Sequence, residues 1–136
     1  MAKAKSSRDP KTSRIPKTVL VVDDSMLIRH AVCRFLEGRG CHVHAATNGV
    51  EAMLVLDYFI PDVIITDLIM PGMSGVELIS RIRGNPVFAN TPIIVLAARS
   101  NAAKLSSELL GSISAVVYKN IEIEEQLARV LNFTLT

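Results

Sequence analysis

The chain has few of the residues that small proteins use for cross-links and metal cages. Its 136 residues include two cysteines, three histidines and no tryptophan. Cys33 and Cys41 form no C-x-x-C pair, so two reduced, buried thiols are expected rather than a disulfide. No apolar run approaches the roughly 18 residues that span a membrane. The N-terminus is basic but lacks the apolar stretch of a signal peptide, and a cytoplasmic protein is expected. Aromatic residues make up 4% of the chain, and none is interleaved with the basic charges at its start. Nucleic-acid binding through that segment is therefore not expected.

Apolar residues, in contrast, are abundant, at 49%. A single domain of this length buries a real core. The net charge of +2 hides an asymmetry. Residues 1–17 carry six basic side chains (Lys3, Lys5, Arg8, Lys11, Arg14, Lys17) against one acid, Asp9. Residues 1–16 are expected to be a disordered basic tail, and 17–136 the folded domain.

The centre of the chain is V-I-I-T-D-L-I-M-P-G-M-S-G, residues 63–75. Its β-branched run suits a strand buried on both faces. The run ends in a lone carboxylate, Asp67, and turn residues Pro71, Gly72 and Gly75 follow. Ser74 can cap the next helix, with Glu77 at capping-box spacing. Upstream, strand 18–22 runs directly into Asp23-Asp24-Ser25. Either Ser25 or Asp24 can cap helix 26–37, in which Leu27, Ile28, Ala31, Val32, Phe35 and Leu36 recur at helical spacing.

A second strand, 41–46, carries His42 and His44 on one face. Two ligands without a third make a poor metal site, so a partly covered face is the better account. Helices are expected at 49–59 (capped by Asn48), 75–83 (carrying Val76, Leu78, Ile79 and Ile82), 101–110 and 121–132. Strands are expected at 92–97 and 114–118, the last closing on Lys119. Gly38-Arg39-Gly40 follows a helix and precedes a strand, the wrong order for a phosphate-cradling loop.

Five βα units with short connections imply an α/β fold, flavodoxin-like, with a doubly wound parallel sheet in the order 2-1-3-4-5. Strands 1 and 3 then lie side by side. Asp23, Asp24 and Asp67 meet at one end of the sheet, and Lys119 reaches the same edge. Clustered carboxylates repel and call for a cation, and an all-oxygen donor set selects Mg²⁺ or a similar hard ion. With the cation and a lysine beside it, Asp67 can attack a phosphoryl group and form an acyl phosphate.

These segments resemble the receiver domain of two-component response regulators, of the chemotaxis-regulator type, over about residues 17–133. V-L-V-V-D-D-S is similar to that family's acidic-pair strand, and D-L-I-M-P-G-M-S-G to its phosphoacceptor segment. P-I-I-V-L-A-A and V-V-Y-K follow in order. The resemblance implies that Asp67 accepts a phosphoryl group from a histidine kinase or histidine phosphotransfer protein. It implies Mg²⁺ ligation by Asp23, Asp24, Asp67 and the backbone carbonyl of Ile69, with Lys119 contacting the phosphoryl oxygens.

Three positions depart from the family pattern. Ala97 stands where the family usually has a switch Thr or Ser, and it offers no hydroxyl. Val116 stands at the aromatic switch position, with Tyr118 two residues later. Asn120 follows the lysine in place of proline, so a trans bond is expected.

The expected function is a stand-alone phosphoaccepting receiver that signals through an unidentified partner protein. The alternative is a pseudo-receiver that binds its partner regardless of phosphate. A phosphatase-type enzyme would need an Asp-x-Asp pair, but position 69 is Ile, and no enzyme activity beyond slow self-phosphorylation and self-dephosphorylation is expected. The face made by the fourth helix, fifth strand and final helix is a candidate homodimer surface. Its residues Lys104, Glu108, Glu124 and Arg129 form no specific pattern.

Overall fold

A computed structural model describes residues 16–120 and 122–132, so the expected basic tail lies outside the described residues except for Pro16, which is buried and accepts from the Cys41 thiol at 3.2 Å. Five strands alternate with helices. They are β1 (Thr18–Val22), α1 (Met26–Gly38), β2 (His42–Ala46), α2 (Gly49–Leu56), β3 (Val63–Asp67), α3 (Gly75–Arg83), β4 (Ile93–Ala97), α4 (Ser107–Leu110), β5 (Ala115–Tyr118) and α5 (Ile123–Val130). All strand pairs are parallel, in the order β2-β1-β3-β4-β5. This is the flavodoxin-like arrangement expected from the sequence.

The period-two alternation of the strands divides the core into two layers. Leu20, Val22, Ile64, Ile93, Val95 and Ala97 face α2, α3 and α4. Val19, Val21, Ile65, Ile94, Leu96 and Val117 face α1 and α5. β3 and β4 are buried at every residue, which accounts for the apolar runs Val63–Ile65 and Ile93–Ala97. The edge strand β2 keeps His42 exposed, while His44 packs on the Phe59 ring at 4.0 Å. These two histidines pack or face solvent and belong to no metal cluster among the described residues.

Helix starts follow the expected caps. Ser25, Asn48 and Ser74 accept hydrogen bonds from the backbone N–H of Ile28, Glu51 and Glu77. The capping box at Ser74 is only half made, because the Glu77 carboxylate turns to Arg81 instead, at 3.0 Å.

Several expectations are corrected. Helical spacing predicts Leu27 and Val76 inward, but they are 79% and 44% exposed. Each lies in the first turn of its helix, on the side away from the buried residues Val32 and Leu36 of α1 and Leu78, Ile79 and Ile82 of α3. The helix expected over 101–110 divides into a 3₁₀ segment, Arg99–Lys104, and the single turn of α4. The 3₁₀ segment buries no residue, so no apolar face holds it as an α-helix. Ser106 then starts a new helix by accepting from Leu109 N–H at 3.1 Å. α2 ends at Leu56 rather than 59, and α5 spans less than the expected 121–132.

Gly75 shows how tightly the loop after β3 is folded. A Cβ there would lie 2.1 Å from the Asp67 carbonyl oxygen and 2.8 Å from Leu68 Cα. Both are backbone atoms that cannot rotate away. Gly75→Ala is expected to destabilise the domain by about 1–3 kcal/mol, read as a lower urea midpoint. A Cβ at Gly38 would meet nothing within 4 Å. Gly38→Ala should therefore leave stability unchanged or raise it by up to ~1 kcal/mol in the same assay.

Candidate functional site

The acidic side chains reach one end of the sheet for local reasons. β1 ends at Val22, and Asp23 and Asp24 follow as the chain turns into α1. Asp23 is fully buried. Its N–H donates to the Ala46 carbonyl at 3.1 Å, and its Oδ1 accepts from Ser25 N–H at 2.8 Å. Arg29 on α1 donates to the Asp23 carbonyl at 2.8 Å. Asp24 is exposed at the mouth of the site. Asp67 is the last residue of β3 and is 4% exposed. Its loop folds back through a Gly75 N–H bond to the Leu68 carbonyl at 2.9 Å.

The strand order places β1 beside β3, and the consequence is electrostatic. Carboxylate oxygens of Asp23, Asp24 and Asp67 lie within 4.8 Å of one another. Lys119, just beyond β5, is the cation among them. Its Nζ lies 2.8 Å from Asp67 Oδ1 and 3.2 Å from Asp23 Oδ2. Burial pushes the Asp67 carboxyl up to about 6. Within that net rise the Lys119 hydrogen bond and charge act against burial, and the neighbouring Asp23 charge and Asp24 contact act with it. Burial acts to lower the Lys119 ammonium, but its hydrogen bond to Asp67 and the Asp23 and Asp67 charges outweigh that and raise it.

The donor set suits a hard cation. Asp23 Oδ2 is buried and receives no aligned hydrogen bond, although the Lys119 charge lies close by. An unsatisfied buried carboxylate oxygen beside two further carboxylates is a ready cation ligand. Among the described residues, no other group of three His, Cys, Asp or Glu side chains could hold a metal. Ile69 lies two residues beyond Asp67 in the loop and is 45% exposed.

Position 97 is as apolar in the structure as in the sequence. Ala97 ends β4, is fully buried and offers only a methyl group. Val116 is half-buried against the same core layer. Tyr118 pairs in register with Ala97, and the Arg99 guanidinium stacks over its ring at 4.1 Å. The Lys119–Asn120 bond is trans, since no cis peptide occurs among the described residues. Sequence reasoning missed Arg29 and the Arg99–Tyr118 stack. Both join residues at spacings that no helical or strand period marks.

The raised Asp67 carboxyl has a consequence for stability. A carboxyl whose folded value exceeds its unfolded value of 3.8 favours folding below about pH 3.8. That contribution is lost as pH rises through about 6. At pH 7.5 without a divalent cation, the ionised group therefore opposes folding. Asp67→Asn should raise the Tm by about 3–8 °C there, the scale of ~1–2 kcal/mol in a domain of this size. The gain should shrink as pH falls from 6 to 4, measured by calorimetry in chelator.

Comparison with known proteins bears on what this geometry is for. The family model described as response regulator receiver domain matches residues 19–131. The chain is 32% identical over 116 residues to response regulator MprA of Mycobacterium sp. (strain KMS), covering 85% of this chain and 50% of that protein. It is 34% identical over 119 residues to the phosphate regulon transcriptional regulatory protein PhoB of Rhizobium meliloti, covering 85% and 51%. The chain thus spans about half the length of these two curated relatives. Among solved structures, the chemotaxis response regulator CheY4 of Vibrio cholerae superposes with a TM-score of 0.73 at 34% identity, over 83% of this chain and 97% of that one. A match to the family model over most of the chain, relatives above 30% identity and a shared fold agree: the chain belongs to the response regulator receiver domain family of two-component signalling.

Proposed function

We propose that Asp67 is the phosphoacceptor of this receiver domain, loaded by a histidine kinase or a histidine phosphotransfer protein in a Mg²⁺-dependent reaction. The observation that carries the reading is the Asp23, Asp24 and Asp67 cluster with Lys119 Nζ 2.8 Å from Asp67. A carboxylate oxygen of Asp67 attacks phosphorus, the bond from phosphorus to the donor imidazole nitrogen breaks, and the imidazole leaves. The Lys119 ammonium stands where it can neutralise the charge of a phosphoryl oxygen. Its contact also keeps Asp67 ionised and nucleophilic near neutral pH, against the effect of burial. Asp23, Asp24, Asp67 and the Ile69 carbonyl would hold Mg²⁺, which supplies charge neutralisation for the transferring group when bound. Asp24 is exposed at the mouth, on the side from which a donor must approach.

The phosphorylated domain is proposed to act in the cytoplasm through contact with another protein. The buried methyl of Ala97 cannot bond a phosphoryl oxygen, so any conformational response runs through other residues. The same observation favours a second reading, an interaction module whose partner binding ignores phosphate.

Incubation with acetyl phosphate and Mg²⁺ separates the two readings. Acetate leaves as Asp67 takes the phosphoryl group. Intact mass should rise by one phosphoryl group in the wild type and not in Asp67→Asn. No gain, with Mg²⁺ binding demonstrated, would favour the interaction module.

Ile69 is apolar and cannot orient an attacking water, so the loaded form should decay slowly. A half-life of seconds would refute that. Ala97→Thr should enlarge the shift in amide spectra on phosphorylation; an unchanged shift would show that position 97 does not limit the response.

A further inference from the structure

Lys119 carries the site's positive charge, yet it sits just past the end of a four-residue edge strand. β5 has a strand neighbour on one side alone, β4. On that side Lys119 N–H donates to the Ala97 carbonyl at 3.0 Å. On the other side, the hydrogen-bonding groups of Tyr118 need a partner.

Gln126 of α5 supplies it. Its Oε1 accepts from Tyr118 N–H at 2.9 Å, and its Nε2 donates to the Tyr118 carbonyl at 2.9 Å. The same Nε2 donates to Asn120 Oδ1 at 3.1 Å. Asn120 Oδ1 also accepts from Glu122 N–H at 2.9 Å, which ties the turn to the start of α5. The partners fix the orientation of the amide, since a backbone N–H must face an oxygen and a carbonyl an N–H. One side chain therefore grips the residues on both sides of Lys119. Its own helix is anchored by Ile123, Leu127 and Ala128 in the core.

We propose that Gln126 is the positioning residue for Lys119: its amide clamps Tyr118 and Asn120 so that the ammonium is held at Asp67 and Asp23. The side chain must both donate and accept, and glutamine is the residue of this length that does. Asn120, the position where the family pattern has proline, becomes part of the clamp rather than a gap in the pattern. The inference rests on the phosphoacceptor reading for its effect on rate, but not for its effect on the lysine.

Two variants and two readouts test it. Gln126→Met keeps the length and removes all three bonds. Gln126→Glu keeps the acceptor for Tyr118 N–H and loses both donations. The rate constant for phosphorylation by acetyl phosphate, at saturating donor and Mg²⁺, should fall about 10-fold in Gln126→Met, as expected for a modest displacement of a catalytic group. It should fall less in Gln126→Glu. In a Lys119→Met background, Gln126→Met should cost nothing further, because the group it positions is gone. An equal penalty in both backgrounds, or no penalty in either, overturns the proposal.

The second readout needs no turnover. The Lys119 ammonium signal, identified by its loss in Lys119→Met, is recorded in ¹H–¹⁵N spectra of metal-free protein. It should broaden or disappear in Gln126→Met. If wild type takes up no phosphoryl group, the phosphoacceptor reading fails, and an unchanged ammonium signal in Gln126→Met would overturn the clamp separately. Should Gln126→Met fail to fold, Gln126→Glu decides both readouts.

Discussion

Three carboxylates and one ammonium share the end of a parallel sheet, and the rest of the molecule is arranged to keep them there. Charges of one sign packed within 4.8 Å repel. A flexible loop would let them move apart into water. Here Asp23 and Asp67 are instead extensions of β1 and β3, whose registers are set by buried residues on both faces. The sheet therefore holds the mutual repulsion in place. Lys119 relieves part of it at Asp67 and Asp23, while the Asp23 oxygen without an aligned hydrogen bond remains poised for a cation.

The same constraint explains why the loop after β3 is so compact. The Asp67 carboxylate projects from the strand end while the chain reverses into α3. Gly75 permits that reversal by passing against the Asp67 carbonyl with no side chain in the way. Ser74 then caps α3 at once. Asp67, the turn and the helix start are one continuous piece of covalent geometry.

Much of this was legible in the sequence because it rests on local patterns. The buried strands announce themselves as apolar runs, the acids fall at the ends of β1 and β3, and Ser25, Asn48 and Ser74 mark helix starts. The parallel order then brings Asp23, Asp24, Asp67 and Lys119 together with no further information. What was not legible depends on where a helix first meets the sheet, or on bonds between distant residues. Leu27 and Val76 satisfy the helical period and still point to solvent. The segment after Ala97 buries no residue over Arg99–Lys104 and packs only Leu105, in part, against the core before Leu109. Gln126 lies beside an apolar stripe and looks like an ordinary surface residue until its amide is seen on the backbone of Tyr118.

The Gln126 amide also changes what the sheet can do at its margin. An unpaired strand edge invites another chain to add alongside it, the route to strand exchange and fibrous aggregation. At Tyr118 both backbone groups that an incoming strand would use are already occupied. With β5 only four residues long, a side chain from α5 leaves little open ladder for an intruding strand. The β5 border of the sheet, the one that carries Lys119, is thereby closed to lateral growth at Tyr118.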